Sequence, residues 1–255
     1  MRYMGGKFRQ SAKIVEIIGK ENGTNFKYCE PFAGAMWSAV AVIKKLKPAE
    51  VILSDINRPL MLLWCALMHG ENVLPEYVSK KEHERYKKNQ NMDDPLTAWY
   101  GHACSFGGKW FGSWARNNKG EELEEYNNKS KVENAIKTAN IVKQANNLKV
   151  YVADYWDTIK DLVGWVLYLD PPYEGTGKGY SNTNKFDYVL FYSRVRQLSK
   201  FNKVYVTCFI HPEDFTVLYN WGDTICMNSA DSVVSKNRKT KIEEKLITYT
   251  PKEIS

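Results

Sequence analysis

Short apolar runs that end on acidic residues recur along this chain, and each of the early ones is followed by a stretch with helical apolar spacing. That alternation is the rhythm of strands crossing to helices and back, and it confines the chain to an α/β sheet, mostly parallel. The first run, Phe26 to Cys29, ends at Glu30 and Pro31, and the second, Glu50 to Ser54, ends at Asp55. A third, Lys149 to Ala153, ends at Asp154, and a fourth, Trp165 to Leu169, ends at Asp170. A fifth covers Lys203 to Cys208, and helices are predicted over Trp37 to Leu46 and Pro59 to His69. Lys245 to Thr250 reads as a last, antiparallel strand after the basic stretch Lys236 to Lys241. Ligands of open α/β sheets bind beyond the carboxyl ends of the strands, so four acids at four successive strand ends predict one shared crevice. Taken singly, each acid is also an ordinary turn former.

Between about Gly70 and Asn147 the rhythm stops, and charged and amide residues surround an aromatic, glycine-rich centre, SFGGKWFGSWARNNKG. The break predicts an inserted helical module, 70–147, within a domain built from 1–69 and 148–255. Val132, Ala135, Ile136, Ala139, Ile141 and Val142 share one face of a helix over Lys129 to Asn146 that returns the chain to the sheet. In the aromatic centre, Lys109 and Arg116 are candidate phosphate and base contacts. Trp110, Phe111 and Trp114 have two readings: support for a base stack that has lost a base, or simply the small core of the insert.

The sharpest chemical signal is Asp170-Pro171-Pro172-Tyr173 directly after an apolar strand. An aromatic amine is a poor nucleophile because its lone pair is delocalised into the ring. Acceptors that bind the amino hydrogens favour a pyramidal nitrogen, and Asp170 with the carbonyl of Pro171 can be those acceptors. Neither proline donates a backbone N–H, and two fixed φ angles stiffen the turn that holds the acceptors. Tyr173 supplies a ring on which a base can stack. The loop 175–185, rich in Gly, Ser and Asn, follows and offers Tyr180 as a further base or DNA contact.

Five elements occur in a fixed order: Tyr3-Met4-Gly5-Gly6-Lys7, then Glu30-Pro31-Phe32-Ala33-Gly34, then Asp55-Ile56-Asn57, then the insert, then Asp170 to Tyr173. In that order the chain resembles the DNA adenine methylase family, the amino-methyltransferases whose signature is D-P-P-Y. The resemblance implies a Rossmann-like, S-adenosylmethionine-dependent methyltransferase sheet carrying a target-recognition insert. It also implies methyl transfer to the N6 amino group of adenine in double-stranded DNA, by base flipping and direct displacement. For the cofactor it implies Phe32 and Gly34 in the turn after the first strand, where an absent side chain permits close approach. Asp55 becomes the ribose ligand, Asp154 with Tyr155 the adenine contact, and Asp170 a neighbour of the cofactor. Lys7 becomes a cation for the cofactor carboxylate, with Tyr3 beside it. Asp157, close by, competes with Asp154 and reads as the cap of a helix starting at Thr158.

A cytosine N4 amine can use the same acceptors, but Asp rather than Ser before Pro-Pro-Tyr leans toward adenine. A DNA-binding module with a decayed site is the rival from another class, and intact Asp55, Asp170 and Tyr173 argue against it. The net charge of +7 suits a polyanionic partner, since surplus Lys and Arg displace counterions from phosphates. Five scattered cysteines without a CxxC pair, and four histidines without ligand spacing, predict no metal site and a reducing compartment. The amino-terminal stretch lacks the apolar core of a signal peptide, and the longest apolar run is far shorter than the ~20 residues that span a bilayer. A soluble cytoplasmic protein, monomeric or weakly dimeric, is the expectation, with a restriction endonuclease as its natural counterpart and no membrane partner.

Overall fold

The computed structural model describes Met1, 3–117, 119–174, 186–224 and 242–251. In chain order the elements are α1 (Ser11–Asn22), β1 (Lys27–Glu30), α2 (Trp37–Leu46), β2 (Glu50–Asp55), α3 (Arg58–His69), β3 (Tyr77–Ser79), α4 (Lys80–Asn89) and α5 (Pro95–Ala98). A π turn (Trp99–Ala103) and a 3-10 turn (Phe106–Gly108) follow, then β4 (Glu125–Asn127), α6 (Lys129–Val142), β5 (Leu148–Val152), α7 (Tyr155–Ile159) and β6 (Trp165–Leu169). The chain continues with α8 (Tyr188–Leu198), β7 (Lys203–Cys208), β8 (Thr216–Thr224) and β9 (Ile242–Thr248).

Seven strands form one sheet in the order β5-β2-β1-β6-β7-β9-β8. The pairs from β5 to β7 are parallel, and β9 runs antiparallel to both β7 and β8. From β1 the chain steps outward through β2 to β5, then returns to the other side of β1 and steps outward again through β6 to β7. The strand order therefore reverses between β1 and β6, and the crevice beyond their carboxyl ends is where such a sheet binds ligands.

Period-two alternation divides the core between the two faces of the sheet. Tyr28, Val51, Leu53, Val166 and Tyr168 face one side, with α1, α2, α3 and α6 over them. Cys29, Ile52, Trp165, Leu167 and Leu169 face the other, under α7 and α8. With both faces covered, β6 is buried along its whole length, which is why WVLYL shows no polar alternation. Trp99, Trp114, Val78 and Tyr86 of segment 70–147 belong to the first of these two clusters, so the segment shares its core with the sheet.

Local chemistry sets the helix ends. Ser79 accepts from the Glu82 N–H at 3.2 Å to start α4, Asp187 accepts from Leu190 at 2.9 Å to start α8, and Gly70 closes α3 at φ 85°. The helix expected over Lys129 to Asn146 ends at Val142. Segment 70–147 also contains a short antiparallel pair, β3 with β4, beside its helices. Among the described residues no helix is long and apolar enough to cross a membrane.

Candidate active site

Beyond β1, β2, β5 and β6 lies one pocket, and its walls include Tyr3, Lys7, Phe32, Gly34, Asp55, Asp154, Tyr155 and Asp170. Every residue that the sequence singled out for the cofactor thus borders the same cavity. Its shape depends on Gly34, whose φ of +46° lies in the left-handed region. A Cβ there would stand 2.9 Å from the Tyr3 ring. The Gly34 N–H donates to Asp55 Oδ2 at 2.9 Å, and the Gly34 carbonyl accepts from Trp64 Nε1 at 2.9 Å. Asp55 Oδ1 accepts from the Asn57 N–H at 2.9 Å. Burial pushes the Asp55 carboxyl up, against these backbone donors, which pull it down.

Asp154 itself, not Asp157, caps the next helix. Its Oδ1 accepts from the Trp156 N–H at 2.9 Å, and α7 starts at Tyr155 rather than Thr158. The reason is register: β5 stops at Val152, one residue before the predicted end, which leaves Asp154 extended at φ −63° and ψ 146° in the cap position. Phe32 and Tyr155 stack with ring centres 5.1 Å apart and planes 22° apart, forming a flat aromatic wall.

The Asp170 carboxylate is the hub of a second cluster. Its Oδ2 pairs with Lys7 Nζ at 2.9 Å, and its Oδ1 accepts from Thr207 Oγ1 at 2.7 Å and from the Tyr173 hydroxyl at 3.1 Å. Glu244 of β9 joins them, with Oε1 at 2.7 Å from the Tyr173 hydroxyl and 3.4 Å from Lys7 Nζ. Burial works against the Lys7 charge, but the carboxylates of Asp170 and Glu244 outweigh it and hold the ammonium above its ordinary pKa. Burial pushes the Asp170 carboxyl up and Lys7 opposes it. The Tyr173 ring meets Phe209 edge-on at 4.3 Å, with Lys7 Nζ 4.8 Å from its centre. In the same turn the Pro172 carbonyl accepts from the Tyr188 hydroxyl at 2.9 Å. No described residue donates to the carbonyl of Pro171.

Sequence reasoning did not find Glu244, Thr207, His102 or the buried state of Glu30. Glu30 accepts from Ser38 and, at 2.8 Å, from the Tyr28 hydroxyl. Burial raises its pKa to about 8, against the pull of those two hydroxyls.

His102 joins segment 70–147 to the pocket. A carbonyl can only accept, so the 2.9 Å contact of Nδ1 with the Gly108 carbonyl fixes the proton on Nδ1 and leaves Nε2 to accept from the Asn57 amide at 3.1 Å. The Gly108 carbonyl also accepts from the Met4 N–H at 3.2 Å. Of the aromatic residues left with two readings, Phe111 and Trp114 are buried in the core. Trp110 is half-buried beside His102, with its Nε1 donating to Gln90 Oε1 at 3.1 Å. Lys109 is half-buried and Arg116 exposed, the latter 3.5 Å from Glu122. Tyr180 lies outside the described residues.

Residues 3–220 match the model of the D12 class N6 adenine-specific DNA methyltransferases, and the chain belongs to that family. It is therefore an adenine-specific DNA methyltransferase. A Type II methyltransferase of Methanocaldococcus jannaschii, M.MjaIII, is 27% identical over 219 residues, which cover 74% of each chain. Among solved structures, the rRNA methyltransferase aviRa of Streptomyces viridochromogenes aligns with a TM-score of 0.43 at 12% identity, over 96% of this chain and 86% of that one.

Proposed function

We propose that Asp170 and the Pro171 carbonyl accept the two amino hydrogens of a target adenine rotated out of double-stranded DNA, while Tyr173 supports its ring. The observation that carries this reading is the position of the Asp170 carboxylate, at the carboxyl end of β6 and on the wall of the switch-point pocket. A rigid acceptor pair aimed at the amine localises its lone pair without rearranging when the reaction occurs. Turn stiffness from Pro171 and Pro172, and the anchoring of the Pro172 carbonyl by Tyr188, keep the acceptors in place.

The pocket residues fit S-adenosylmethionine. One ammonium, Lys7, against two carboxylates, Asp170 and Glu244, gives a buried cluster with one net negative charge, complementary to a cofactor whose net charge is positive. The Gly34 turn leaves space that a Cβ would fill, the Phe32 and Tyr155 wall suits a purine, and Asp55 retains lone pairs for ribose hydroxyls. Lys7 and Tyr3 border the methionine end, and Asp154, already fixed as a cap, borders the adenine end. When bound, the cofactor supplies an electrophilic methyl on a sulfonium. Segment 70–147 is the target-recognition insert on this reading, with Lys109 and Arg116 toward DNA and His102 linking it to the pocket. The description of the archaeal relative as Type II supports a restriction endonuclease counterpart, and a monomer or weak dimer is enough for the work.

The test is Asp170→Ala. Single-turnover methyl transfer should fall by at least ~100-fold with a much smaller change in affinity for S-adenosylhomocysteine. Equal losses in both would remove Asp170 from the amine and leave it a cofactor ligand.

A further inference from the structure

Asp170 already holds three donors. Oδ2 is held by Lys7, and Oδ1 accepts from both Thr207 and Tyr173. A lone pair remains on Oδ2, but each bound donor weakens the carboxylate as an acceptor for an incoming amine, the Lys7 ammonium most of all, and a donor that leaves must not be stranded in a buried site, where an unpaired ammonium or hydroxyl is costly. Glu244 is the group that can receive such a donor. It is buried, and it faces Lys7 and Tyr173, two of the three side chains that bind Asp170.

The geometry shows two exchanges half prepared. Tyr173 has one hydroxyl proton and two carboxylates in range, and Glu244 is the nearer at 2.7 Å against 3.1 Å. Lys7 has three N–H groups aimed at the Gly5 carbonyl (2.6 Å), Asp170 (2.9 Å) and Glu244 (3.4 Å). A displacement of well under 1 Å turns the weak Lys7 contact with Glu244 into a full ion pair, while the Gly5 carbonyl keeps its hold. Glu244 is itself fixed, because its Oε2 accepts from Gln10 Nε2 at 2.7 Å and β9 is bonded on both sides in the sheet. It also lies beyond the residues 3–220 that define the family match, on the antiparallel strand that closes the sheet.

We propose that Glu244 is a positioning residue that draws Lys7 and Tyr173 from Asp170 when the substrate amine arrives, so that the Asp170 carboxylate becomes a stronger acceptor for it. No bond is made or broken in this step: hydrogen-bond donors change acceptor and the count of buried charges stays the same. The inference rests on the reading of Asp170 as the amine acceptor.

Glu244→Gln keeps the size and the acceptor for Tyr173 but removes the charge that competes for Lys7. With it, the single-turnover rate at saturating cofactor should fall at least ~10-fold, while the dissociation constant of S-adenosylhomocysteine and the melting temperature stay close to wild type. The discriminating measurement is the same substitution in a Lys7→Met background, where no ammonium remains to be moved and the further loss should shrink to about threefold or less. A wild-type rate for Glu244→Gln, or an equal loss in both backgrounds, overturns the proposal. If Glu244→Gln does not fold, Glu244→Asp, which keeps the charge and withdraws it by one methylene, goes through the same cycle with a smaller loss and the same dependence on Lys7. An active Asp170→Ala would instead show that the reading of Asp170 has failed. An inactive Asp170→Ala beside a fully active Glu244→Gln would overturn only the role of Glu244.

Discussion

The Asn57 side-chain amide donates to His102 Nε2 at 3.1 Å, so the residue that caps α3 beside the Asp55 strand end also holds the ring at the base of segment 70–147. The bond needs a neutral imidazole, because a proton on Nε2 would face the Asn57 donor. Burial enforces that state and lowers the His102 pKa to about 4, while His83, buried beside Phe111 and Trp114 with Lys87 near, is lowered to about 4 as well.

Acid should therefore unfold the protein in a defined window. A depressed folded-state pKa means that the unfolded chain binds more protons, so the stability from both rings is complete above the unfolded value near 6.5 and is lost as pH falls toward 4. Melting temperatures of wild type and of a His83→Gln, His102→Gln variant, followed from pH 7.5 to 4, check this. The gap between the two curves should narrow as pH falls through about 6 to 4, and parallel curves would mean that the rings are not neutral when folded.

Glu30 works in the opposite direction. Its folded pKa of about 8 lies above the unfolded value of 4.5, so its contribution is complete below 4.5 and is lost as pH rises through 8. Glu30→Gln keeps acceptors and donors for Tyr28 and Ser38 without the charge, and it should raise the melting temperature relative to wild type by an amount that grows from pH 5 to 9. A constant difference across that range would show that Glu30 ionises normally.

The link from Gly34 to Asp55 predicts a paired loss. Gly34→Ala meets both a left-handed φ of +46° and the Tyr3 ring at 2.9 Å, and it should cost more than the ~1 kcal/mol of an ordinary Gly→Ala strain, with loss of cofactor affinity. Asp55→Ala should weaken S-adenosylhomocysteine by roughly 1.5–3 kcal/mol, the scale of a hydrogen bond to a charged group. The two residues are bonded, so the double variant should lose less than the sum of the singles, and calorimetric titration of all three measures this.

What the sequence revealed follows from how strongly each segment is constrained. β6 is buried on both faces, so its five apolar residues and the D-P-P-Y turn after it read directly as strand and site. The left-handed Met36 that starts α2 has no such signature: its φ is 58°, in a turn closed by its N–H donating to the Ala33 carbonyl at 2.7 Å. Glu244 was hidden for a different reason. It sits in the charged run IEEK, where the last strand read as starting at Lys245, and a carboxylate there looks solvated. Only the antiparallel pairing of β9 with β7 turns it onto the same cluster as Asp170. The cap role of Asp154 likewise turned on where β5 ends, a one-residue matter that spacing does not resolve.

Segment 70–147 carries the last prediction. Arg116 is exposed and among the described residues pairs with Glu122, at 3.5 Å, and Glu122 is already held by Lys80 at 2.7 Å. An exposed pair of that length contributes ~0–1 kcal/mol, so exchanging Glu122 for DNA costs Arg116 little. Its fork can contact guanine O6 and N7 together, whereas Lys109, half-buried between Gly108 and Trp110, presents a single ammonium suited to a phosphate. Lys109→Ala should therefore weaken all duplexes about equally and reduce the salt dependence of binding by roughly one unit of slope. Arg116→Ala should relax preference at one base pair by ~1–3 kcal/mol. Methylation of a randomised duplex library by each variant, with binding repeated at two salt concentrations, separates the two roles. If neither variant alters site preference or salt slope, both residues lie off the DNA, and the reading of 70–147 as the target-recognition segment loses its central support.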